Sequence, residues 1–123
     1  MDAQTMLRTA VVLLAITALG GLLMAGMRFG GHPRPPSSIA MLHGLLAASG
    51  LTLILYAGFA AGMPGGGWGG LVLLLIAVLG GVVLNLRYHS EGIELPVGLM
   101  LGHAAVAVIG FVVLAISVWN LQA

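Results

Sequence analysis

The chain has 123 residues, of which 60% are hydrophobic and only 6% are charged. A soluble domain carries about a quarter charged residues, so this composition excludes a water-facing globular fold and indicates an integral membrane protein. Cysteine is absent and the formal net charge is +1, which excludes disulfides, thiolate metal sites, iron–sulfur clusters, covalent c-type haem attachment and a basic nucleic-acid surface.

Four apolar segments are each long enough to cross a bilayer, which takes about 20 residues of helix. In chain order they are Met6–Met27, Pro36–Ala61, Trp68–Arg87 and Pro96–Trp119. The first is longer than the apolar core of a signal peptide, so we predict that it is retained. Short connections rich in glycine and proline are typical of loops. We therefore predict a single all-α domain, residues 1–123, folded as a four-helix bundle of antiparallel neighbours.

The two halves of the chain resemble each other at an offset of 60 residues. The ungapped matches are Leu13/Leu73, Leu14/Leu74, Ile16/Ile76, Gly20-Gly21/Gly80-Gly81, Pro36/Pro96, His43/His103, Ala47/Ala107 and Gly50/Gly110. Since chance rarely repeats Pro-x6-His-x3-Ala-x2-Gly at one offset, we predict two tandem duplicated hairpins, at about residues 6–61 and 66–121. Each hairpin has two spans, so both copies keep the same orientation. A pseudo-two-fold axis should then run along the membrane normal, as in other parallel repeats.

Two histidines inside the apolar spans are the candidate functional residues. His43 lies seven residues after Pro36, which places it roughly 10 Å along the helix, within one leaflet. His103 follows Pro96 at the same spacing. Ionisable residues inside a membrane are costly and normally have a partner. The positions predicted to leave space beside the two imidazoles are the small residues Gly44, Ala47, Gly50, Ala104, Ala107 and Gly110.

Two neutral imidazoles that face each other across small side chains suit the axial positions of one haem b iron. The haem propionates need cations nearby. Arg28, Arg34 and Arg87 all lie at the histidine end of the bundle, and arginine can pair with carboxylates bidentately. With both axial positions filled, no position remains for oxygen chemistry. We therefore predict an electron-transfer protein or subunit rather than a stand-alone enzyme.

A non-redox membrane protein is the competing interpretation. Small residues at helical spacing also let membrane helices pack closely without a cofactor, and the histidines could hydrogen-bond across the helix interface. The chain would then be a small scaffold, an assembly subunit or half of a transporter. His32 and His89 lie in loops and are predicted to be solvated. A peripheral metal site or a proton relay to a quinone, with Glu91 or Glu94, is the alternative role for them.

The residues around the two histidines resemble those of small bacterial four-helix b-type membrane cytochromes of the cytochrome b-561 kind. The resemblance is carried by His43 in LHGLLA and His103 in LGHAAV. It implies haem b, a bacterial inner membrane, and electron exchange with a quinone, a redox partner or a larger membrane complex. A homodimer is a further option. Typical members are longer and often hold two haems, whereas one in-membrane pair predicts one haem here. The Pro…His-Gly-Leu-Leu-Ala hairpin also resembles small membrane proteins of no known function.

The arginines also predict an orientation. Arg28, Arg34 and Arg87 lie at the histidine end, and Arg8 lies at the other end. By the positive-inside rule the histidine end is cytoplasmic and both termini are outside. Arginines that pair with propionates would lie at the histidine end in either orientation, so both explanations of their distribution stay open.

Overall fold

A computed structural model describes residues 1–120, and this part of the chain is helical with no strands. Its four α-helices are α1 (Ala3–Phe29), α2 (Ser37–Ala61), α3 (Gly67–Val83) and α4 (Val97–Trp119). α3 continues without a break into a π-helical segment, Leu84–His89. With that extension, all four helices are long and apolar enough to cross a membrane, which confirms the predicted spans. Residue 121, the predicted end of the second repeat, lies outside the described residues.

Outward-facing apolar side chains cover the bundle along its length. The exposed large side chains include Leu19 and Leu22 on α1, Leu45 on α2, and Leu79 on α3. A soluble protein rarely exposes so large a contiguous apolar surface. Four spanning helices with such faces imply contact with the lipid bilayer.

Three of the four helices begin after a residue that suits a first turn, where N–H groups lack partners within the helix, whereas α3 begins without a side-chain cap. Asp2 caps α1, because its carboxylate accepts a hydrogen bond from the backbone N–H of Thr5 at 2.7 Å. This bond holds the pKa of the Asp2 carboxyl below its ordinary value of 3.8. α2 and α4 each follow a proline directly, Pro36 and Pro96. A proline at a helix start loses nothing, since its missing N–H would have no partner there.

The end of α3 differs from the end of α1. Over Leu84–His89 the backbone widens into a π-helix, and the N–H of Ser90 bonds to the carbonyl of Asn85, five residues earlier, at 2.8 Å. α1 keeps α-helical geometry as far as Phe29. A π-helical turn is rare and shifts the residues that follow it. The first helices of the two hairpins therefore end with different geometries.

The bundle consists of two hairpins, α1 packed on α2 and α3 packed on α4. The buried core lies between the four helices, and its members are Leu7, Ala10, Val11, Leu14, Leu51, Ile54, Ala57, Leu71, Leu74, Leu114 and Val118. Between the hairpins, α1 lies against α4 more extensively than α2 lies against α3. A strict two-fold axis would make these two contacts equal.

Gly50 and Gly110 allow the two helices of each hairpin to approach closely. A Cβ at Gly50 would lie 3.0 Å from the Cγ of Leu14 on α1. A Cβ at Gly110 would lie 2.9 Å from the Cβ of Leu73 and 3.0 Å from the carbonyl oxygen of Gly70, both on α3. Any side chain at these positions would press against the facing helix, so glycine sets the distance between the helices.

Candidate functional site

His43 and His103 come together where the two hairpins meet. Their ring centroids are 6.3 Å apart and the ring planes are inclined at 67°. His43 lies near the start of α2 and His103 near the start of α4, and both side chains are half-buried. The structure therefore brings together the two histidines that the sequence comparison paired.

Each imidazole is held by a backbone carbonyl of the other helix in its own hairpin. Nδ1 of His43 donates to the carbonyl of Thr17 on α1 at 2.9 Å, and Nδ1 of His103 donates to the carbonyl of Ala77 on α3 at 2.7 Å. In both hairpins the acceptor precedes the histidine by 26 residues. A carbonyl can only accept, so Nδ1 carries the proton. A neutral imidazole in this tautomer has its lone pair on Nε2.

Nε2 is thus the atom that each ring offers to a ligand. No donor within residues 1–120 bonds to either Nε2, and neither atom is fully enclosed. Metal-binding histidines almost always donate their other N–H to a carbonyl, a carboxylate or water, and both rings have that arrangement. A metal–imidazole bond is about 2 Å long, so two imidazoles on opposite sides of one metal have ring centroids roughly 6 Å apart. The observed separation of 6.3 Å matches this.

The histidine pair offers a metal two protein ligands. Within the part of the chain that the structure describes, no three His, Asp or Glu side chains form a group that could hold a metal. A bare Zn²⁺ needs about four ligands, whereas haem iron needs only axial ligands because the porphyrin nitrogens occupy its other positions. The same finding leaves the alternative peripheral metal site at His32 and His89 without support.

Glycines of α1 and α3 lie against the two imidazoles. A Cβ at Gly21 would lie 3.0 Å from Cε1 of His43, and a Cβ at Gly81 would lie 3.1 Å from Cε1 of His103. In the sequence these glycines are a match between the two halves, and they were not among the residues predicted to line the site. Their position at the same 60-residue offset as the histidines is the signal that could have identified them.

The small residues predicted to line the site have different surroundings. Gly50 and Gly110 are buried in the helix contacts inside each hairpin. Gly44 is exposed, and no described atom lies within 4 Å of a Cβ placed there. The half-buried members are Ala47, Ala104 and Ala107. Gly44 thus faces open space, whereas the facing helix fills the space beside Gly50 and Gly110.

At the histidine end, polar contacts join the helical end of each hairpin to the connecting loop of the other hairpin. Arg28 forms an ion pair with Glu94, and its Nε donates to the carbonyl of Leu95 at 3.0 Å. Nε2 of His89 donates to the carbonyl of Pro35 at 2.7 Å. His89 is therefore held by the protein rather than solvated, and Arg28 already has an anionic partner.

The other two arginines at this end are exposed. Arg34 lies in the loop after α1. The guanidinium of Arg87 lies 5.9 Å from the ring centroid of its neighbour Tyr88. Neither arginine forms an ion pair with a described residue, so both can still bind an anion at the histidine end.

Comparison with known proteins identifies no relative of this chain. No protein-family model, no curated protein and no solved structure matches it. The resemblance to b-type membrane cytochromes therefore stays a prediction.

Proposed function

We propose that the protein is a membrane b-type cytochrome that holds one haem b between α2 and α4. Nε2 of His43 and Nε2 of His103 would hold the haem iron. The observation that carries this proposal is the paired geometry of the imidazoles, with ring centroids 6.3 Å apart and each Nδ1 bonded to a carbonyl. When bound, haem b supplies reversible one-electron transfer.

The chain's own contribution is to orient the ligands and to keep water away from them. The Thr17 and Ala77 carbonyls fix the tautomer of each ring, which keeps both Nε2 lone pairs free for the iron. Both ligands lie on helices apolar enough to cross a membrane, and a hydrocarbon environment offers no competing hydrogen bonds. Arg34 and Arg87 are proposed to pair with the propionates, because guanidinium groups bind carboxylates bidentately. Arg28 is proposed to hold the end of α1 to the loop before α4 through Glu94.

We also infer that the two hairpins are duplicated and related by a pseudo-two-fold axis along the membrane normal. The 26-residue spacing from acceptor to histidine recurs in both halves, and each ring packs on the second glycine of a Gly-Gly pair. The unequal contacts between the hairpins and the π-helical end of α3 restrict this symmetry to the region around the histidines.

The proposed electron partners meet the protein at the histidine end. Both histidines lie in one leaflet, so a quinone, a soluble redox partner or a larger membrane complex would exchange electrons from that side. A homodimer is compatible with this role. We place the protein in a bacterial inner membrane with the histidine end cytoplasmic and both termini outside, an orientation supported by Arg28, Arg34 and Arg87 against Arg8.

A haemin titration of the detergent-purified, haem-free protein tests the proposal. We expect the Soret band to shift and to saturate at one haemin per chain. His43→Ala and His103→Ala should each weaken binding, because each removes one of the two ligands. His32→Ala changes an exposed loop histidine and should bind as the wild type does. Wild-type binding by the His43→Ala, His103→Ala double variant would refute the assignment of the ligands.

One observation favours the competing function, a non-redox scaffold, assembly subunit or half-transporter. Each histidine already has a hydrogen-bond partner within its hairpin, so a purely structural role would be satisfied. His103→Asn separates the two functions, because an asparagine amide can donate to the Ala77 carbonyl but does not replace an imidazole ligand. A structural role predicts an unchanged protein, whereas the cytochrome predicts loss of haem binding with the fold retained.

A further inference from the structure

We propose that Gly21 and Gly81 are positioning residues for the two imidazoles. Each lacks the side chain that would otherwise push the facing imidazole off its carbonyl acceptor and displace the Nε2 of that ring. This inference rests on the proposed function, since it concerns the same pair of ligands. It assigns a role to α1 and α3, which supply no ligand themselves.

The contact geometry supports this role. A Cβ at Gly21 would lie 3.0 Å from Cε1 and 3.5 Å from Nδ1 of His43. A Cβ at Gly81 would lie 3.1 Å from Cε1 and 3.6 Å from Nδ1 of His103. Cε1 lies between the two nitrogens of a rigid ring, so it cannot yield alone. Moving it displaces both the Nδ1 that binds the carbonyl and the Nε2 that is offered to the metal.

The adjacent glycines, Gly20 and Gly80, lie farther from the imidazole rings. A Cβ at Gly20 would lie 3.9 Å from Nδ1 of His43, and a Cβ at Gly80 would lie 3.5 Å from the Cβ of His103. Both are ordinary van der Waals distances. In each Gly-Gly pair, therefore, only a Cβ at the second glycine would press on Cε1, the ring atom between the two nitrogens. The first can accept a methyl group without moving the imidazole.

These contacts also differ from the glycine contacts that bring helices together. Gly70 and Gly110 face backbone atoms of the neighbouring helix, where a Cβ would lie at 2.8 Å and 3.0 Å from a backbone nitrogen. The nearest atoms to Gly21 all belong to His43, and the nearest atoms to Gly81 all belong to His103. Gly21 and Gly81 thus make room for the imidazoles rather than for a helix backbone.

The test is the tautomer of each histidine in haem-free protein, read by long-range ¹H–¹⁵N correlation NMR of ¹⁵N-histidine-labelled protein in detergent. In the wild type we expect His43 and His103 to carry the proton on Nδ1. Gly21→Ala should shift the His43 nitrogens toward mixed tautomers, and Gly81→Ala should do so for His103. Gly20→Ala and Gly26→Ala are the matched controls on α1. The second has no described atom within 4 Å of the new methyl group, and both should leave the wild-type pattern.

Two results would overturn the proposal. One is a Gly21→Ala spectrum in which His43 looks as it does in Gly20→Ala. The other is a wild type without the proton on Nδ1. If Gly21→Ala does not fold, Gly81→Ala applies the same test to His103.

Haemin binding by the same variants separates this proposal from the proposed function. Forcing one side chain off its rotamer should raise the haemin Kd about 2- to 12-fold in Gly21→Ala. Altered tautomers in a protein that binds no haemin would refute the cytochrome and leave the positioning role in place. Haemin binding by the wild type, with unchanged tautomers and Kd in both alanine variants, would refute the positioning role alone.

Discussion

Gly110→Ala should destabilise the haem-free protein by separating α3 from α4. The new Cβ would lie 2.9 Å from the Cβ of Leu73, 3.0 Å from the carbonyl oxygen of Gly70 and 3.0 Å from the backbone nitrogen of Leu74. Two of these three atoms are backbone atoms, which cannot move without moving the helix. Overpacking of this kind costs about 1–3 kcal/mol. The cost is opposed by the better helix propensity of alanine, about 1 kcal/mol or less.

Gly102→Ala is the matched control on the same helix. No described atom lies within 4 Å of its new methyl group, so only the propensity gain remains. Both variants gain the same helix propensity, so their free energies of unfolding should differ by the overpacking cost alone, about 1–3 kcal/mol, with Gly110→Ala the less stable. Far-UV circular dichroism during SDS unfolding in mixed micelles measures this difference. Equal stabilities would refute the packing role of Gly110 and would favour its originally predicted place beside a cofactor.

Two further predictions concern polar contacts. Arg28→Gln loses an ion pair with the 59% exposed side chain of Glu94 and a hydrogen bond to the carbonyl of Leu95, whereas Glu94→Gln loses only the ion pair, worth about 0.2–1 kcal/mol. Thermal unfolding should therefore show the larger loss for Arg28→Gln, and equal losses would contradict the hydrogen bond. The pKa of Asp2 is lower in the folded protein than its ordinary value of 3.8. The ionised Asp2 carboxylate therefore stabilises the fold above pH 3.8, and this stabilisation is lost as the pH falls through the folded-state pKa. Asp2→Asn keeps a capping oxygen that does not titrate and should remove this acid sensitivity from the unfolding curve, while an unchanged pH profile would assign the sensitivity to another group.

Much of the fold could be predicted from the apolar pattern because the bilayer restricts spanning segments to helices of a given length. The helix ends were less accessible to prediction. α1 begins at Ala3 rather than Met6, because the Asp2 cap extends the helix through polar residues beyond the apolar stretch. The π-helical segment Leu84–His89 was not predicted at all. A change of backbone pitch over six residues leaves no distinct pattern of apolar side chains.

The candidate site, like the fold, could be predicted only in part from the sequence. The pairing of His43 with His103 was predictable, because imidazoles are rare in apolar spans and these two share one offset. The carbonyls of Thr17 and Ala77 could not be predicted as the acceptors. Every residue has a backbone carbonyl, and no side chain shows which carbonyl accepts a hydrogen bond from an imidazole. The contacts of Gly21 with a ring likewise required the position of α1 relative to α2. Haem binding and the internal duplication stay predictions.

The most direct test of the account is a dithionite-reduced minus oxidised spectrum of the detergent-purified protein from haem-replete cells, recorded beside His43→Ala and His103→Ala. We expect the sharp α-band of a low-spin, bis-histidine b-type haem in the wild type and its loss in both variants. A colourless wild type, or a band that both variants retain, would contradict it.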